Sequence, residues 1–246
     1  MELLNGNSLE LIKNIPDESI DLVLTDPPYG INYGNLEWDK INFNTFTEQW
    51  LSECYRVLKP TGTMWSFMSH LNVINFITIQ NKIKLNVHLD NWVIWCRSKG
   101  RMSSKHLKST REDIIHSTKS NKFTWNNLQM LREVIAPYML DGKPRGWFVD
   151  ETGKRVRWTG LGNVWTYTPP FHKFKDDMAL GHPHQKPLMM IDRLLLLSSN
   201  ENDVVLDPFM GTGTTGVSCK KYNRQYIGIE QNEEYFNIAT KRLEIA

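Results

Sequence analysis

A short apolar strand that stops at an acid, a glycine loop, a helix, and a second apolar strand that stops at another acid constrain this chain more than anything else in it. The first piece is DVVLDPFMGTGTTG, Asp203 to Gly216, and the second is YIGIE, Tyr226 to Glu230. Gly211 and Gly213 let the backbone come close to a nucleotide-like ligand where a side chain would collide. Glu230 lies nineteen positions after Gly211, a spacing at which a carboxylate commonly accepts hydrogen bonds from ribose hydroxyls. A lone glycine loop closes many strand–helix turns. With the strand before it and the acid after it, this one predicts an adenosine-containing ligand.

The run SIDLVLTDPPYG, Ser19 to Gly30, reads as a buried strand ending in a Pro-Pro loop. That places Asp26, Pro27, Pro28 and Tyr29 at the carboxyl edge of a sheet, where open α/β folds bind ligands. As plain structure, Pro-Pro merely ends a strand. An acid, two rigid prolines and an aromatic ring suit one further task. The amino nitrogen of adenine or cytosine is a poor nucleophile, because its lone pair is delocalised into the ring. Asp26 and the Pro27 carbonyl can accept its two N–H bonds and draw it toward tetrahedral geometry. The prolines fix φ, so both acceptors are set beforehand. Tyr29 can stack on the base.

Between these pieces, Phe43 to Leu58 has helical spacing, TMWSFM follows Gly62 as a strand, Asn72 to Lys82 reads as a helix and Val87 to Cys96 as a buried strand. Alternating strands and helices predict a parallel, doubly wound α/β sheet. Asp113 to Ser117 reads as a last edge strand, and WFVDETGKRVRW (Trp147 to Trp158) as a hairpin. Regularity returns with a helix at Leu188 to Ser198. The organisation expected is therefore 1–117 and 181–246 as two parts of one domain, with 118–180 inserted as a subdomain. Trp125, Trp147, Trp158 and Trp165 read as packing residues.

The 246 residues suffice for one such domain with an insert. No apolar run approaches the ~18 residues of a membrane helix, and MELLNGNSLE lacks the pattern of a secretory signal. Three widely spaced cysteines argue against a disulfide framework or zinc cluster, so a cytoplasmic protein is expected. Net charge is +2, but Arg97 to Lys175 carries 16 Lys/Arg against 6 Asp/Glu while the remainder carries 13 against 21. A basic centre in an acidic frame suggests a polyanionic partner; a solvated lysine-rich surface is the bland alternative.

Taken together, the motifs resemble the amino-methylating DNA methyltransferases of the β arrangement, in which DPPY precedes the target-recognition region and the cofactor loop comes last. DPPY is Asp26 to Tyr29, FxGxG is Phe209 to Gly213, and HPxxKP is His182 to Pro187. WDK (Trp38 to Lys40), RVLKPTG (Arg56 to Gly62) and VIWCRS (Val93 to Ser98) add to the likeness, which spans Leu3 to Ser117 and Gly181 to Leu243. The resemblance implies a Rossmann-like methyltransferase sheet with an inserted target-recognition subdomain, and S-adenosylmethionine as cofactor. It places Asp207, Phe209, Gly211, Thr212, Gly213 and Thr214 along that cofactor, Glu230 on its ribose and Lys186 near its carboxylate. His182 and His184 read as scaffold, so no metal is expected. Where the family usually has Gly-Asp facing the cofactor's adenine, this chain has Gly6-Asn7, which keeps an acceptor oxygen and loses a charge-assisted bond.

The implied substrate is double-stranded DNA, with the target base flipped out of the helix. Arg145, Arg155 and Arg157 are candidate DNA contacts, and a second copy of the chain and a companion restriction endonuclease are further partners. DPPY favours adenine N6. The alternatives are cytosine N4, adenine in RNA, and a catalytically dead DNA-binding module.

Overall fold

Short apolar runs such as DLVLT, VIWC and VVLD become strands here, and stretches with a three-to-four residue apolar period become helices. A computed structural model of the chain describes residues 1–31, 39–96, 104–105, 107–134, 139–141, 143–166 and 185–246. In chain order the elements are β1 (Glu2–Asn5), α1 (Ser8–Leu11), β2 (Ile20–Thr25), α2 (Phe43–Val57), β3 (Leu58–Met68), α3 (Val73–Lys82), β4 (Asn86–Val87), β5 (Val93–Cys96) and β6 (Arg111–Thr118). They continue with β7 (Gln129–Glu133), β8 (Met139–Leu140), β9 (Lys143–Pro144), β10 (Phe148–Val149), β11 (Arg155–Gly160) and β12 (Val164–Trp165). The chain closes with α4 (Leu188–Ser198), β13 (Val204–Asp207), α5 (Thr214–Lys221), β14 (Gln225–Glu230) and α6 (Glu233–Ile245).

Among the described residues, nine strands form one sheet in the order β1-β14-β13-β2-β3-β6-β5-β12, with β4 also paired to β6. The expectation of a doubly wound α/β sheet holds. Neighbouring residues of one strand point to opposite faces, and the two faces carry two cores. Val23, Met64, Leu206 and Ile229 join Trp50, Leu51 and Phe76 on one side. Leu22, Leu24, Trp65, Phe67 and Val205 join Leu194, Leu195, Ala239 and Leu243 on the other.

Three expectations need correction. The sheet is mixed rather than parallel: β1, β14, β13, β2 and β3 run the same way, but β6 is antiparallel to both β3 and β5. Nor is β6 an edge strand, since it lies between those two and buries seven of its eight residues. The span Val87 to Cys96 is not one strand either. A 3₁₀ turn at Leu89–Asn91 divides it, and the Trp92 indole donates to Asp113 Oδ1 at 2.8 Å, fixing the chain after the turn.

The chain divides into two compact units, Met1–Trp125 with Asn163–Ala246, and Asn126–Gly162. In the smaller unit β10, β11 and β7 form an antiparallel sheet. Its β10–β11 hairpin is the one expected from the sequence. Asp150 Oδ1 accepts from the backbone of Thr152 and Lys154 across the turn, where Gly153 takes φ 80°. Of the tryptophans read as packing residues, Trp165 is 5% exposed and lies in the larger unit's core, whereas Trp125 and Trp158 are 42% and 59% exposed.

Candidate active site

Because β1, β14, β13 and β2 are adjacent and parallel, their carboxyl ends share one edge, about 4.8 Å apart from strand to strand. Asn7, Glu230, Asp207 and Asp26 follow those ends in that spatial order. Between β13 and β2 the direction of winding reverses, the place where a doubly wound sheet opens a crevice. Thr25 Oγ1 donates to Asp207 Oδ1 across that point at 2.7 Å.

The Asp26–Tyr29 loop is pinned by side chains from elsewhere. Asp39, 1% exposed, accepts from the backbone N–H of Gly30 at 2.8 Å and of Ile31 at 3.1 Å. Gly30 takes φ 63°, a conformation that suits glycine and turns its N–H toward that carboxylate. Asn72 donates to the Tyr29 carbonyl at 2.7 Å. Thus WDK acts through Asp39, while Trp38 lies outside the described residues.

Around Asp26 the side chains form a charged cluster. Lys186 Nζ lies 2.6 Å from Asp26 Oδ2 and 2.8 Å from Glu112 Oε1. The Tyr29 hydroxyl is 2.6 Å from Asp26 Oδ1 and 2.7 Å from Glu112 Oε1. Burial raises the Asp26 carboxyl above the usual range, and Glu112 adds to it against the lowering by Lys186. Burial alone would lower Lys186, but the two carboxylates together outweigh it and hold the ammonium above its ordinary value. Burial and then the same carboxylates push the Tyr29 phenol well up, so the phenol stays protonated. Lys186, expected near a cofactor carboxylate, is thus found bridging Asp26 and Glu112. His182 to His184 lie outside the described residues.

The glycine loop is held from beneath. Asp207, 4% exposed, also accepts from Thr215 Oγ1 at 2.8 Å and from the Phe209 N–H at 3.2 Å, and burial pushes its carboxyl up to about 7. Ser8 Oγ donates to the Pro208 carbonyl. The Phe209 ring packs edge-on to Trp50, with centroids 5.6 Å apart. Gly211 and Gly213 take φ 52° and 80°, and a Cβ on Gly213 would come within 3.1 Å of Ala239 on α6. Arg242 donates to the Thr212 carbonyl at 3.2 Å and to Thr214 Oγ1 at 3.0 Å. Asp207, Phe209, Gly213 and Thr214 therefore build the loop's support, and Gly211 and Glu230 form its open lip. Glu230 accepts from the N–H groups of Gly211 at 3.0 Å and Asn232 at 2.8 Å, and burial raises its carboxyl. Asn7 is exposed and caps α1, its Oδ1 accepting from the Leu9 N–H at 2.9 Å.

In the smaller unit, Arg155 and Arg157 are exposed on β11 and Arg145 on the loop between β9 and β10. Arg157 lies directly opposite Arg132 of β7, so with Arg155 two residues away one sheet face carries three guanidinium groups. Sequence reading missed Arg132, Asp39, Asn72 and Glu112. Of these, only Asp39 left a signal, as the centre of WDK.

Asp26, Asp207 and Glu230 thus stand at the carboxyl ends of three adjacent strands, beside a glycine loop, where doubly wound α/β proteins bind their ligands. The chain belongs to the DNA methylase family, whose model matches residues 20–241. It is similar to the type II methyltransferase M.HpaI of Haemophilus parainfluenzae, with 37% identity over 98% of this chain and 74% of that protein. It is also 33% identical to the DNA adenine methyltransferase YhdJ of Escherichia coli, over 99% of this chain and 83% of that one. Among solved structures, M1.HpyAVI in complex with SAM superposes with a TM-score of 0.66 at 23% identity, covering 98% of both chains. The cytosine-N4-specific PvuII DNA methyltransferase gives 0.67 at 18% identity, over 98% of this chain and 85% of that one. These two likenesses bear on the fold.

Proposed function

We propose that this DNA methylase transfers the methyl group of S-adenosylmethionine to the N6 amino group of an adenine rotated out of duplex DNA. The observation that carries this reading is Asp26, an acceptor on a pinned loop at the winding reversal between β2 and β13, beside the glycine loop that follows β13 and the Glu230 that ends β14.

The residues present fit the cofactor. The Glu230 carboxylate accepts from the backbone N–H groups of Gly211, Asn232 and Gln231, which leaves one of its four lone pairs for a ribose hydroxyl. When bound, S-adenosylmethionine supplies a sulfonium methyl, an electrophile that an amino nitrogen attacks in line. The chain's own task is to make that nitrogen nucleophilic. Asp26 and the Pro27 carbonyl accept its two N–H groups, so its lone pair leaves the ring's π system. Tyr29 stacks on the base, an interaction worth about 1–3 kcal/mol. S-adenosylmethionine would supply the methyl group and leave as its thioether, and Asp26 is placed to take the proton that the methylated nitrogen would shed. Adenine is favoured over cytosine by Asp at the head of the motif and by the name of the relative YhdJ. Likeness to type II methyltransferases supports a companion restriction endonuclease as the protein partner.

Incubation with S-adenosylmethionine and unmethylated duplex DNA, then digestion and mass spectrometry, tests the reading. N6-methyladenine is expected. N4-methylcytosine would replace the base assignment, and methylation of RNA in preference to DNA would replace the substrate.

Two variants probe the two binding partners. Asn7→Asp keeps the α1 cap and restores a charged acceptor, so cofactor Kd should tighten roughly fivefold by calorimetry; no change would remove Asn7 from the adenine site. The guanidinium face of the smaller unit sets like charges directly opposite one another, an arrangement that is costly without an anion. Arg155→Ala with Arg157→Ala should therefore weaken DNA binding about tenfold or more and lower the salt slope by about one for each phosphate no longer neutralised. Cofactor affinity should hold; an equal loss of both would point to misfolding.

A further inference from the structure

Glu112 has no place in the chemistry so far, yet its carboxylate is inside the cluster. It arrives there because β6 runs backwards. Asp113 pairs with Met68, the last residue of β3, so Glu112, at the start of β6, lies beyond the carboxyl end of β3 on the catalytic edge. Its side chain is 6% exposed, that of Lys186 is 10% and that of Asp26 is 27%. Among these three charged side chains Asp26 is thus the one nearest solvent, and an entering base meets it before Lys186 or Glu112.

In the cluster as it stands, the oxygen that must accept the amino N–H is engaged. Tyr29 Oη sits 2.6 Å from Asp26 Oδ1 and 2.7 Å from Glu112 Oε1. A phenol carries one proton, so it donates to one of these carboxylates at a time. Without a second acceptor, removing the hydroxyl from Asp26 would leave a largely buried donor unpaired, at the cost such groups carry. The backbone around Tyr29 is fixed by Asp39 and Asn72, and both acceptors are already within reach. The change therefore needs only a turn of the O–H bond. Lys186 meanwhile bridges Asp26 Oδ2 and Glu112 Oε1 and keeps the two carboxylates from repelling each other.

We infer that Glu112 is a positioning residue of the methyl-transfer site: it takes over the Tyr29 hydroxyl when the target amino group claims Asp26 Oδ1, and with Asp26 it anchors Lys186. This rests on Asp26 being the amino acceptor, as proposed above. Asp26 is faced by Tyr29, Lys186 and Glu112 within the cluster and, more remotely, by Asp207. Since Glu112 raises the Asp26 carboxyl and the Tyr29 hydroxyl lowers it, removing each should move the acid limb of the rate profile in opposite directions.

The test compares the native enzyme, Glu112→Leu, Tyr29→Phe and the double variant in single-turnover methylation of duplex DNA, from about pH 5.5 to 9. Leucine removes the acceptor oxygen that glutamine would keep, so Glu112→Leu should slow transfer about tenfold with cofactor Kd unchanged, and its acid limb should move to lower pH. Tyr29→Phe should move that limb to higher pH. With no hydroxyl left to receive, Glu112→Leu should cost less in the Tyr29→Phe background than in the native one. A Glu112→Leu enzyme with native rate and acid limb overturns the inference, and so does an equal fractional loss in both backgrounds. If Glu112→Leu does not fold, Glu112→Gln decides: it keeps an acceptor and loses the charge, so its acid limb should move to lower pH with a rate near native, and an unmoved limb overturns the inference. A native protein that methylates no base overturns the proposed function, and this role with it; an active native protein with unaffected variants overturns this role alone.

Discussion

Asp26→Asn is expected to slow methyl transfer by about 10²–10³-fold, the usual cost of removing one preorganised charge-stabilising group, while cofactor Kd stays within about twofold. The substitution is isosteric, so the loop that Asp39 and Asn72 pin should keep its shape. What it loses is an oxygen. One Asp26 oxygen meets the Lys186 ammonium at 2.6 Å, and the other is the one the amino group must reach. An amide supplies a single oxygen, and whichever way it turns, its NH₂ confronts a donor, either Lys186 or the incoming amino group. The developing positive charge on the nitrogen also loses its counter-charge. Single-turnover rates with duplex DNA, alongside calorimetry with S-adenosylmethionine, measure both quantities. A rate within about tenfold of native would show that amino activation comes from elsewhere, with the Pro27 carbonyl the first candidate.

Both halves of this site announce themselves in the sequence for one physical reason. A buried strand must be apolar along its length, so an acid at its end stands out, and Asp26, Asp207 and Glu230 all sit at such ends. Proline and glycine mark where the backbone departs from the strand. Strand direction leaves no such mark. A run of buried residues reads the same both ways, so β6 could be recognised as a strand but not as an antiparallel one. Glu112, at its beginning rather than its end, stayed invisible in consequence. Lys186 was singled out by its motif, but its partners lie 160 and 74 positions away in the chain, and only the fold brings them together. Trp158 shows a related limit. It follows buried Val156 by two positions on β11 and still lies exposed, because a three-stranded sheet has too little interior to cover every large ring.

Lys186→Met should destabilise the protein by about 3–5 kcal/mol at pH 8.5, the range for breaking a buried ion pair by removing one partner. Methionine matches the aliphatic stem, which packs near the Phe67 and Tyr29 rings, with Nζ 5.1 and 5.7 Å from their centroids, so the lost charge dominates over lost packing. Two carboxylates then face each other across the Tyr29 hydroxyl with no cation between them. Burial already raises Asp26 above its unfolded value, against the pull of Lys186; without the lysine it must rise further. A carboxyl whose folded pKa is raised binds its proton more tightly in the native state. Its contribution therefore favours folding at low pH and turns against it as pH climbs through the raised value. The loss should accordingly be large near pH 8.5 and much smaller near pH 5.5, the reverse of ordinary acid denaturation. Urea titrations of native and variant protein at the two pH values give the comparison directly. Equal losses at both would mean that the lysine contributes packing rather than charge. Adding Asp26→Asn and Glu112→Gln to Lys186→Met neutralises the whole cluster and should recover most of the stability at pH 8.5 while leaving the enzyme inactive, since the charges that the fold tolerates there serve the reaction rather than the fold.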